Sequence, residues 1–189
     1  MARTATERGK LFVISGPSGA GKGTLISEVL ARLPRAWFSV SATTRPPRPG
    51  EVDGASYHFV SNEQFDDWLE HDGLLEWARV YAHRYGTPRE PVEAHLREGW
   101  TVLLDIDTQG AFQVAEKLPE AILVFIEPPS MEELERRLRG RGTESAEQTA
   151  LRVREAEGEM NARKRYNHCL VNDDLQQTTE RLLDILNGA

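Results

Sequence analysis

Short runs of apolar residues alternate along this chain with segments in which apolar residues recur every three or four positions. The continuous runs are typical of strands buried on both faces of a parallel sheet, and the second pattern is typical of the helices that cover such a sheet. We predict core strands at 11–14, 101–106, 121–126 and 168–171, and helices at 25–33, 91–98, 108–117, 131–139, 146–164 and 175–186. The alternation of strands and helices predicts an α/β fold with a central parallel sheet flanked by helices.

The segment 39–88 departs from this alternation, because its extended runs are short and are separated by polar residues and proline. Extended patterns at 37–41, 57–60 and 74–81 predict strands, and Ser61 is a suitable cap for a short helix that ends near residue 71. We therefore predict that 39–88 forms a mixed, β-rich lobe inserted into the larger scaffold.

A chain of 189 residues suits one compact domain with insertions. Gly140 and Gly142 interrupt the later helices, so we predict a small helical lid at 139–155. The predicted core consists of the remaining segments, 9–38, 89–138 and 156–189.

The composition limits the partners that this chain can have. A formal net charge of −7 argues against nucleic acid or an anionic membrane surface. No apolar run approaches the roughly 20 residues of a membrane-spanning helix, and a single cysteine, Cys169, argues against a disulfide framework. We expect a cytoplasmic protein, monomeric or a small homo-oligomer, with no nucleic-acid or membrane partner.

A glycine-rich loop follows the first predicted strand, and its pattern is that of a phosphate-binding P-loop. Its glycines allow a tight turn in which successive backbone N–H groups converge on an anion, and the following helix adds its positive N-terminal end. Gly23 stands where a magnesium-linked Ser or Thr usually follows the lysine, so Thr24 is the nearest hydroxyl. The predicted ATP-binding residues of this loop are Gly16, Pro17, Ser18, Gly19, Ala20, Gly21, Lys22, Gly23 and Thr24.

A second motif, 39–54 followed by Tyr57, has the sequence SVSATTRPPRPGEVDG and resembles the GMP-binding segment of guanylate kinases. The resemblance continues in order through the blocks 76–78, 85–87, 104–110, 126–130, 137–144 and 171–174, and it extends from about residue 11 to 186. It implies a P-loop fold and the reaction ATP + GMP → ADP + GDP in purine nucleotide metabolism. It also implies ATP and GMP as small-molecule partners and Mg²⁺ as cofactor.

The same resemblance implies a GMP site that the chemistry of the residues supports. Arg45 and Arg48 are suited to bidentate contacts with a phosphate, and Tyr57 and Tyr85 can donate to the same oxygens. Guanine presents two N–H donors that a carboxylate accepts together, and Glu76 is the first candidate for this role. The guanine pocket is completed, by resemblance, with Ser41, Thr87 and Asp107; Asp107 could instead be only the cap of the next helix.

Catalysis is predicted to rest on positive charge, because the attacking phosphate oxygen is already deprotonated and needs no general base. The resemblance assigns this role to Lys22, Arg45, Arg137, Arg141 and Arg152. Asp105 is predicted to hold magnesium-bound water beside Thr24. Asn172 and Asp173 are predicted on the adenine side of the ATP site.

Two other functions remain open from the residues alone. One is a kinase for a different nucleoside monophosphate. Glu76 and Ser41 argue against it, because their acceptor groups suit the N–H donors of guanine. The other is a catalytically inactive guanylate-kinase-like module that binds phosphorylated peptides, against which the intact glycines and Lys22 of the P-loop argue.

Overall fold

The computed structural model describes residues 7–140 and 146–188. Arg141, one of the arginines predicted for the lid, lies outside the described residues. The strands are β1 (Leu11–Ser15), β2 (Ala36–Phe38), β3 (Ala42–Thr43), β4 (His58–Phe59), β5 (Leu74–Val80), β6 (His83–Pro88), β7 (Thr101–Asp105), β8 (Ile122–Glu127) and β9 (His168–Val171). The helices are α1 (Lys22–Arg32), α2 (Asn62–Glu70), α3 (Arg89–Arg97), α4 (Thr108–Lys117), α5 (Met131–Gly140), α6 (Ala146–Ala162) and α7 (Leu175–Gly188).

Five strands form a central parallel sheet in the order β2-β7-β1-β8-β9. Strand β1 lies in the middle and is fully buried along its length, because helices pack on both faces of the sheet. Leu11 and Val13 pack on one face with residues of α3 and α4, whereas Phe12 and Ile14 pack on the other with residues of α1 and α7. This two-sided burial is the reason that the strand is a continuous apolar run in the sequence.

A second sheet of four strands, in the order β4-β3-β6-β5, forms the inserted lobe. Its pairing is mixed: β3 and β4 are parallel, and β6 is antiparallel to both β3 and β5. Helix α2 begins after Ser61, whose side chain accepts a hydrogen bond from the Gln64 N–H, and it buries Phe65. The predicted fold class, a parallel α/β core with a mixed β-rich lobe, is therefore confirmed.

One predicted strand had the wrong bounds, and one strand of the lobe was not predicted. Of the predicted strand 37–41, only 37–38 lie in a strand, β2 of the central sheet, and 39–41 connect it to β3 of the lobe, which begins at Ala42. Strand β6 was not predicted, because its sequence, HRYGTP, contains glycine and proline, which are depleted in strands. It forms because it pairs with β5 on one side and β3 on the other, and this stabilisation depends on distant residues.

Most other boundaries agree with the predictions to within two residues, and α4 and β9 match them at both ends. Helix α1 begins earlier than predicted, at Lys22, so the P-loop passes directly into the helix. Helix α6 ends at Ala162 and is followed by a 3₁₀ turn at Arg163–Arg165. Within the described residues, no helix has the length and apolar character needed to cross a membrane. The exact limits of the lobe and the lid stay predictions.

Candidate active site

The candidate site lies at the carboxyl edge of the parallel sheet, where ligands bind in open α/β folds. The P-loop follows β1 directly, and Asp105 is the last residue of β7. Asn172 follows β9, the strand next to β8 at one side of the sheet. Residues that are far apart in sequence are thus collected around one loop, because neighbouring parallel strands end at the same edge.

Two glycines of the P-loop are required by its backbone. Gly16 has a φ of +140°, and a Cβ there would lie 2.1 Å from the carbonyl oxygen of Ile126 on the next strand. Gly21, at φ +93°, caps the N-terminus of α1 in the left-handed conformation. A side chain at either position would force the loop away from the sheet or strain its turn.

Asn172 supports this loop from the side of the sheet. Its side chain is buried, its Nδ2 donates to the carbonyl of Ala20 at 2.7 Å, and a Cβ on Gly21 would lie 2.3 Å from the same nitrogen. This contact gives Asn172 a structural role in holding the P-loop. Asp173 is exposed and its carboxylate accepts from the Asp174 N–H; contacts of either residue with adenine stay predictions.

Lys22 is the first residue of α1, and its side chain folds back over the loop. Its Nζ donates to the carbonyl of Gly16 at 2.7 Å and lies 3.8 Å from Oδ1 of Asp105. Burial raises the pKa of Asp105, and the charge of Lys22 opposes that shift. The ammonium group is therefore held between a carbonyl and a carboxylate at the point where the positive end of the helix faces the loop.

Thr24 and Gly23 are both exposed at the start of α1. A Cβ added at Gly23 would meet nothing within 4 Å, so the missing hydroxyl at this position is not a consequence of crowding. The Thr24 side chain is the first hydroxyl after Lys22 on the solvent-facing first turn of the helix.

In the lobe, the strand register collects the predicted guanine-binding residues in one row. Thr87 of β6 pairs with Glu76 of β5, and the pairing of Ala42 with Gly86 places Ser41 opposite Thr87 on the other side. Neighbouring residues in such a row point to the same face of a sheet. The hydroxyls of Ser41 and Thr87 and the carboxyl of Glu76, which are widely separated in sequence, thus lie side by side.

Glu76 is only 5% exposed, and its Oε1 accepts a hydrogen bond from the Thr87 hydroxyl at 2.6 Å. Burial raises the pKa of Glu76 to about 7, although the Thr87 bond opposes the shift. Helix α4 approaches closely, since a Cβ on Gly110 would lie 2.6 Å from Oε2 of Glu76. A buried carboxyl with its second oxygen near a glycine is suited to accept hydrogen bonds from a flat ligand edge.

Asp107 caps α4, with its Oδ1 accepting from the Gly110 N–H at 2.8 Å. The capping role considered from the sequence is therefore observed. Its side chain also lines the cleft between the lobe and the core, so that an additional contact with guanine stays a prediction.

The predicted phosphate-binding residues of the lobe lie together. The Arg45 guanidinium is buried, its Nε donates to the Tyr85 hydroxyl at 3.2 Å, and it lies over the ring of Tyr57 at 5.5 Å. Both of its terminal nitrogens also donate to Glu51, each at 2.9 Å. The Arg48 side chain is exposed, and its guanidinium makes no hydrogen bond or ion pair among the described residues.

The two described arginines predicted for the lid make contacts at and beside the P-loop. Arg137 of α5 pairs with Glu133 at 2.8 Å and donates to the carbonyl of Asn172 at 3.3 Å. Arg152 of α6 donates to the Ser18 hydroxyl of the P-loop at 3.0 Å. Helices α5 and α6 thus bring positive charge to the loop, and the contact of Arg152 with Ser18 joins residues 134 positions apart.

A cleft of about 850 Å³ separates the lobe from the P-loop and α6. One of the lining residues, Glu159, was not predicted from the sequence. It lies two turns after Arg152 on the same face of α6, and burial raises its pKa to about 7. The spacing of 152, 156 and 159 on the predicted helix was the available signal. The cleft is lined by Ser18, Arg48, Ala78, Arg79, Val80, Tyr81, Asp107, Gln109, Leu151, Arg152, Glu155, Ala156 and Glu159.

The fold and the site define a class of protein. A P-loop with its lysine, a lobe that carries a buried carboxyl, and helices that bring arginine to the loop are the parts of a P-loop nucleoside monophosphate kinase. A family model described as guanylate kinase matches residues 8–189. The chain belongs to the guanylate kinase family.

Individual relatives agree with this family over nearly their whole length. The guanylate kinase of Thermobifida fusca is 50% identical over 177 residues, which cover 94% of this chain and 90% of that protein. The guanylate kinase of Parasynechococcus marenigrum is 51% identical over 174 residues, covering 92% and 96% of the two chains. The crystal structure of guanylate kinase from Anaplasma phagocytophilum matches with a TM-score of 0.75 at 34% identity, covering 97% of this chain and 87% of the other.

Proposed function

We propose that this protein transfers the γ-phosphoryl group of ATP to GMP in a Mg²⁺-dependent reaction that returns GMP to the guanine nucleotide pool. The observation that carries the proposal is the buried Glu76–Thr87 pair, which lies in the lobe near the start of α4. Guanine offers an N1–H and an exocyclic amino group on one edge, and a single carboxylate accepts from both. Adenine does not present this pair of donors.

The acceptor phosphate is expected to lie near Arg45, Arg48, Tyr57 and Tyr85. Tyr85 accepts from Arg45 through its oxygen, so its own O–H remains available to donate to a phosphate. Arg48 contributes a positive charge at the cleft, and its guanidinium has no ion-pair partner among residues 7–140 and 146–188. Because dGMP has the same base and phosphate as GMP, we expect it to be a substrate as well.

In the transfer itself, the residues position two polyanions and neutralise their charge. Lys22 is expected to leave the Gly16 carbonyl for the terminal phosphates of ATP, while Arg137 and Arg152 approach the transferred group from α5 and α6. Arg141 would add a third arginine from the lid. No side chain is required to remove a proton, because the phosphate of GMP is largely dianionic at neutral pH.

The residues around Lys22 fit a hydrated magnesium ion. Thr24 offers an exposed hydroxyl on the first turn of α1, and Asp105 offers a carboxylate close to the loop. Magnesium in such sites retains several waters and neutralises phosphate charge. Thr24 would therefore contact the ion directly and Asp105 through water.

The first experiment is a measurement of ADP formation from MgATP with GMP, dGMP, AMP, UMP or CMP as acceptor. We expect rapid turnover with GMP and dGMP and turnover at least about 100-fold lower with the others, because only guanine satisfies Glu76. Efficient turnover with another acceptor would assign a different base. A folded protein that binds GMP without any turnover would instead indicate the phosphopeptide-binding module.

The metal assignment predicts that Thr24→Ala raises the Mg²⁺ concentration needed for half-maximal activity by about tenfold or more, since the contact of one ligand is lost. Titration of activity with Mg²⁺ at saturating ATP and GMP measures this. Because position 23 has room for a side chain, Gly23→Ser in the Thr24→Ala background is expected to restore much of the Mg²⁺ affinity. An unchanged Mg²⁺ requirement in Thr24→Ala would contradict the role of Thr24.

A further inference from the structure

Glu51 makes a set of contacts that the proposed reaction does not yet use. Its two carboxylate oxygens accept from Nη1 and Nη2 of Arg45 at 2.9 Å each, and Oε2 also accepts from the backbone N–H of Arg48 at 2.7 Å. The Glu51 N–H in turn donates to the carbonyl of Arg48 at 3.0 Å. One carboxylate therefore holds the side chain of one predicted phosphate-binding arginine and the backbone of the other.

The hydrogen bonds of Arg45 show how much of it is left for a ligand. A guanidinium has five N–H donors. The Nε donor is used by Tyr85, both Nη1 donors by the Pro46 carbonyl and Glu51, and one Nη2 donor by Glu51. A single Nη2 hydrogen remains, so that Arg45 in this arrangement offers a phosphate one hydrogen bond instead of a bidentate grip.

The charges of these side chains also assign different roles to Arg45 and Arg48. Arg45 and Glu51 form a tight ion pair, which lowers the pKa of Glu51 to about 2 and raises the pKa of Arg45. The pair contributes almost no net charge to the site. The positive charge that meets the phosphate is therefore that of Arg48, whose guanidinium is unpaired among the described residues.

Resting on the proposed function, we propose that Glu51 is a positioning residue for the acceptor phosphate. It stays on Arg45 when GMP binds and fixes the guanidinium plane so that its last N–H and the Tyr85 hydroxyl point to the same place. By holding the backbone of Arg48, it also fixes the origin from which that side chain reaches the phosphate.

The alternative is that Glu51 occupies the phosphate site of Arg45 and must be displaced by GMP. The contacts oppose this, because Glu51 is also held by the Arg48 backbone and would have to give up three accepted hydrogen bonds at once. The two possibilities predict opposite effects when the charge of Glu51 is removed. If Glu51 is a positioning residue, removal of its charge weakens GMP binding. If Glu51 is a competing anion, removal of its charge strengthens GMP binding.

The test is Glu51→Gln, which keeps the size of the side chain and places an N–H donor against Arg45. We expect KM for GMP to rise by about 10- to 100-fold, because the Arg45 guanidinium loses its fixed orientation, with KM for ATP nearly unchanged and kcat reduced less than KM is raised. The melting temperature should fall by a few degrees, because buried Arg45 loses its charged partner. Glu51→Asp keeps the charge and is expected to give an intermediate KM. Glu70→Gln, at an exposed position of α2 in the same lobe, is the matched control.

A KM for GMP that falls or stays within twofold of wild type in Glu51→Gln would overturn the proposal. The dissociation constant of GMP measured by calorimetry tests the same point without turnover, and it is expected to rise in parallel with KM. If wild type binds GMP but does not phosphorylate it, the proposed function fails, and the calorimetric comparison still decides the role of Glu51. Because the pKa of Glu51 is near 2, the difference should be the same from pH 6 to pH 9.

Discussion

Glu76→Gln is expected to lower kcat/KM for GMP by about 10³-fold, with little change in KM for ATP. The substitution keeps the shape of the side chain but replaces an acceptor oxygen by an N–H donor that faces the donors of guanine. Sites built to satisfy a polar group reject a mismatched partner by roughly 10⁴ or more, because buried groups are left unpaired. The expected loss is smaller for Glu76→Gln because the amide oxygen can retain one of the two bonds.

Steady-state kinetics with GMP and with ATP varied separately measures this effect. Thr87→Ser keeps the hydroxyl that donates to Glu76 and is the conservative control, expected within about threefold of wild type. If Glu76→Gln retained more than a tenth of the wild-type kcat/KM, Glu76 would not be the guanine acceptor.

The same variant has an expected effect on stability that depends on pH. The pKa of Glu76 is raised from 4.5 to about 7 in the folded protein, so the folded state holds its proton more tightly than the unfolded chain does. The corresponding stabilisation is complete below about pH 4.5 and is lost as the pH rises through 7. Relative to wild type, Glu76→Gln should therefore gain about 2–3 kcal/mol in free energy of unfolding between pH 5 and pH 8.

Urea unfolding at the two pH values measures this difference. A gain in stability together with a loss of activity would show that the site keeps an unfavourable carboxyl in order to bind guanine. A difference between variant and wild type that does not change with pH would contradict the raised pKa.

The second large effect is expected for Lys22→Met, which should lower kcat by about 10³-fold or more, as does the loss of a phosphate-directed cation in related reactions. Lys22 is the only lysine at the P-loop, and its ammonium lies 2.7 Å from the Gly16 carbonyl in the structure. Methionine has a similar length and no charge. ATP should still bind, because the loop N–H groups and the N-terminus of α1 remain.

Lys10→Met is the matched control, since Lys10 is exposed at the other end of β1. We expect it to leave kcat unchanged. Nucleotide binding by calorimetry separates the two contributions of Lys22: its loss should weaken ATP binding far less than it lowers kcat. A Lys22→Met enzyme with more than a tenth of wild-type kcat would remove this residue from the transfer step.

Features encoded by neighbouring residues could be predicted from the sequence. The buried strand β1, the glycines of the P-loop and the helix that begins at Lys22 are adjacent along the chain, and Gly16 is required by its own φ and the strand beside it. The apolar runs predicted β7 and β8 for the same reason, since helices cover both faces of the sheet and the central residues of these strands are buried.

Features that depend on pairing across the lobe could not be predicted in this way. Strand β6 has a poor local pattern and exists because two other strands pair with it. The same pairing places Thr87 on Glu76, and it is burial in the finished fold, not the residue type, that raises the pKa of that carboxyl. The resemblance to guanylate kinases predicted both residues in the guanine pocket, but only the structure shows the hydrogen bond between them.

The sequence by itself thus determined the family, the parallel core and the phosphate loop. Each is encoded by a contiguous segment, whose motif, apolar run or glycine spacing follows from local backbone geometry and burial. Only the tertiary structure decided that Glu51 accepts from both terminal nitrogens of Arg45 and that Glu159 lines the cleft. These facts depend on where the side chains point, how deeply they are buried and which hydrogen bonds they form. They arise when distant segments meet, and no local pattern specifies them.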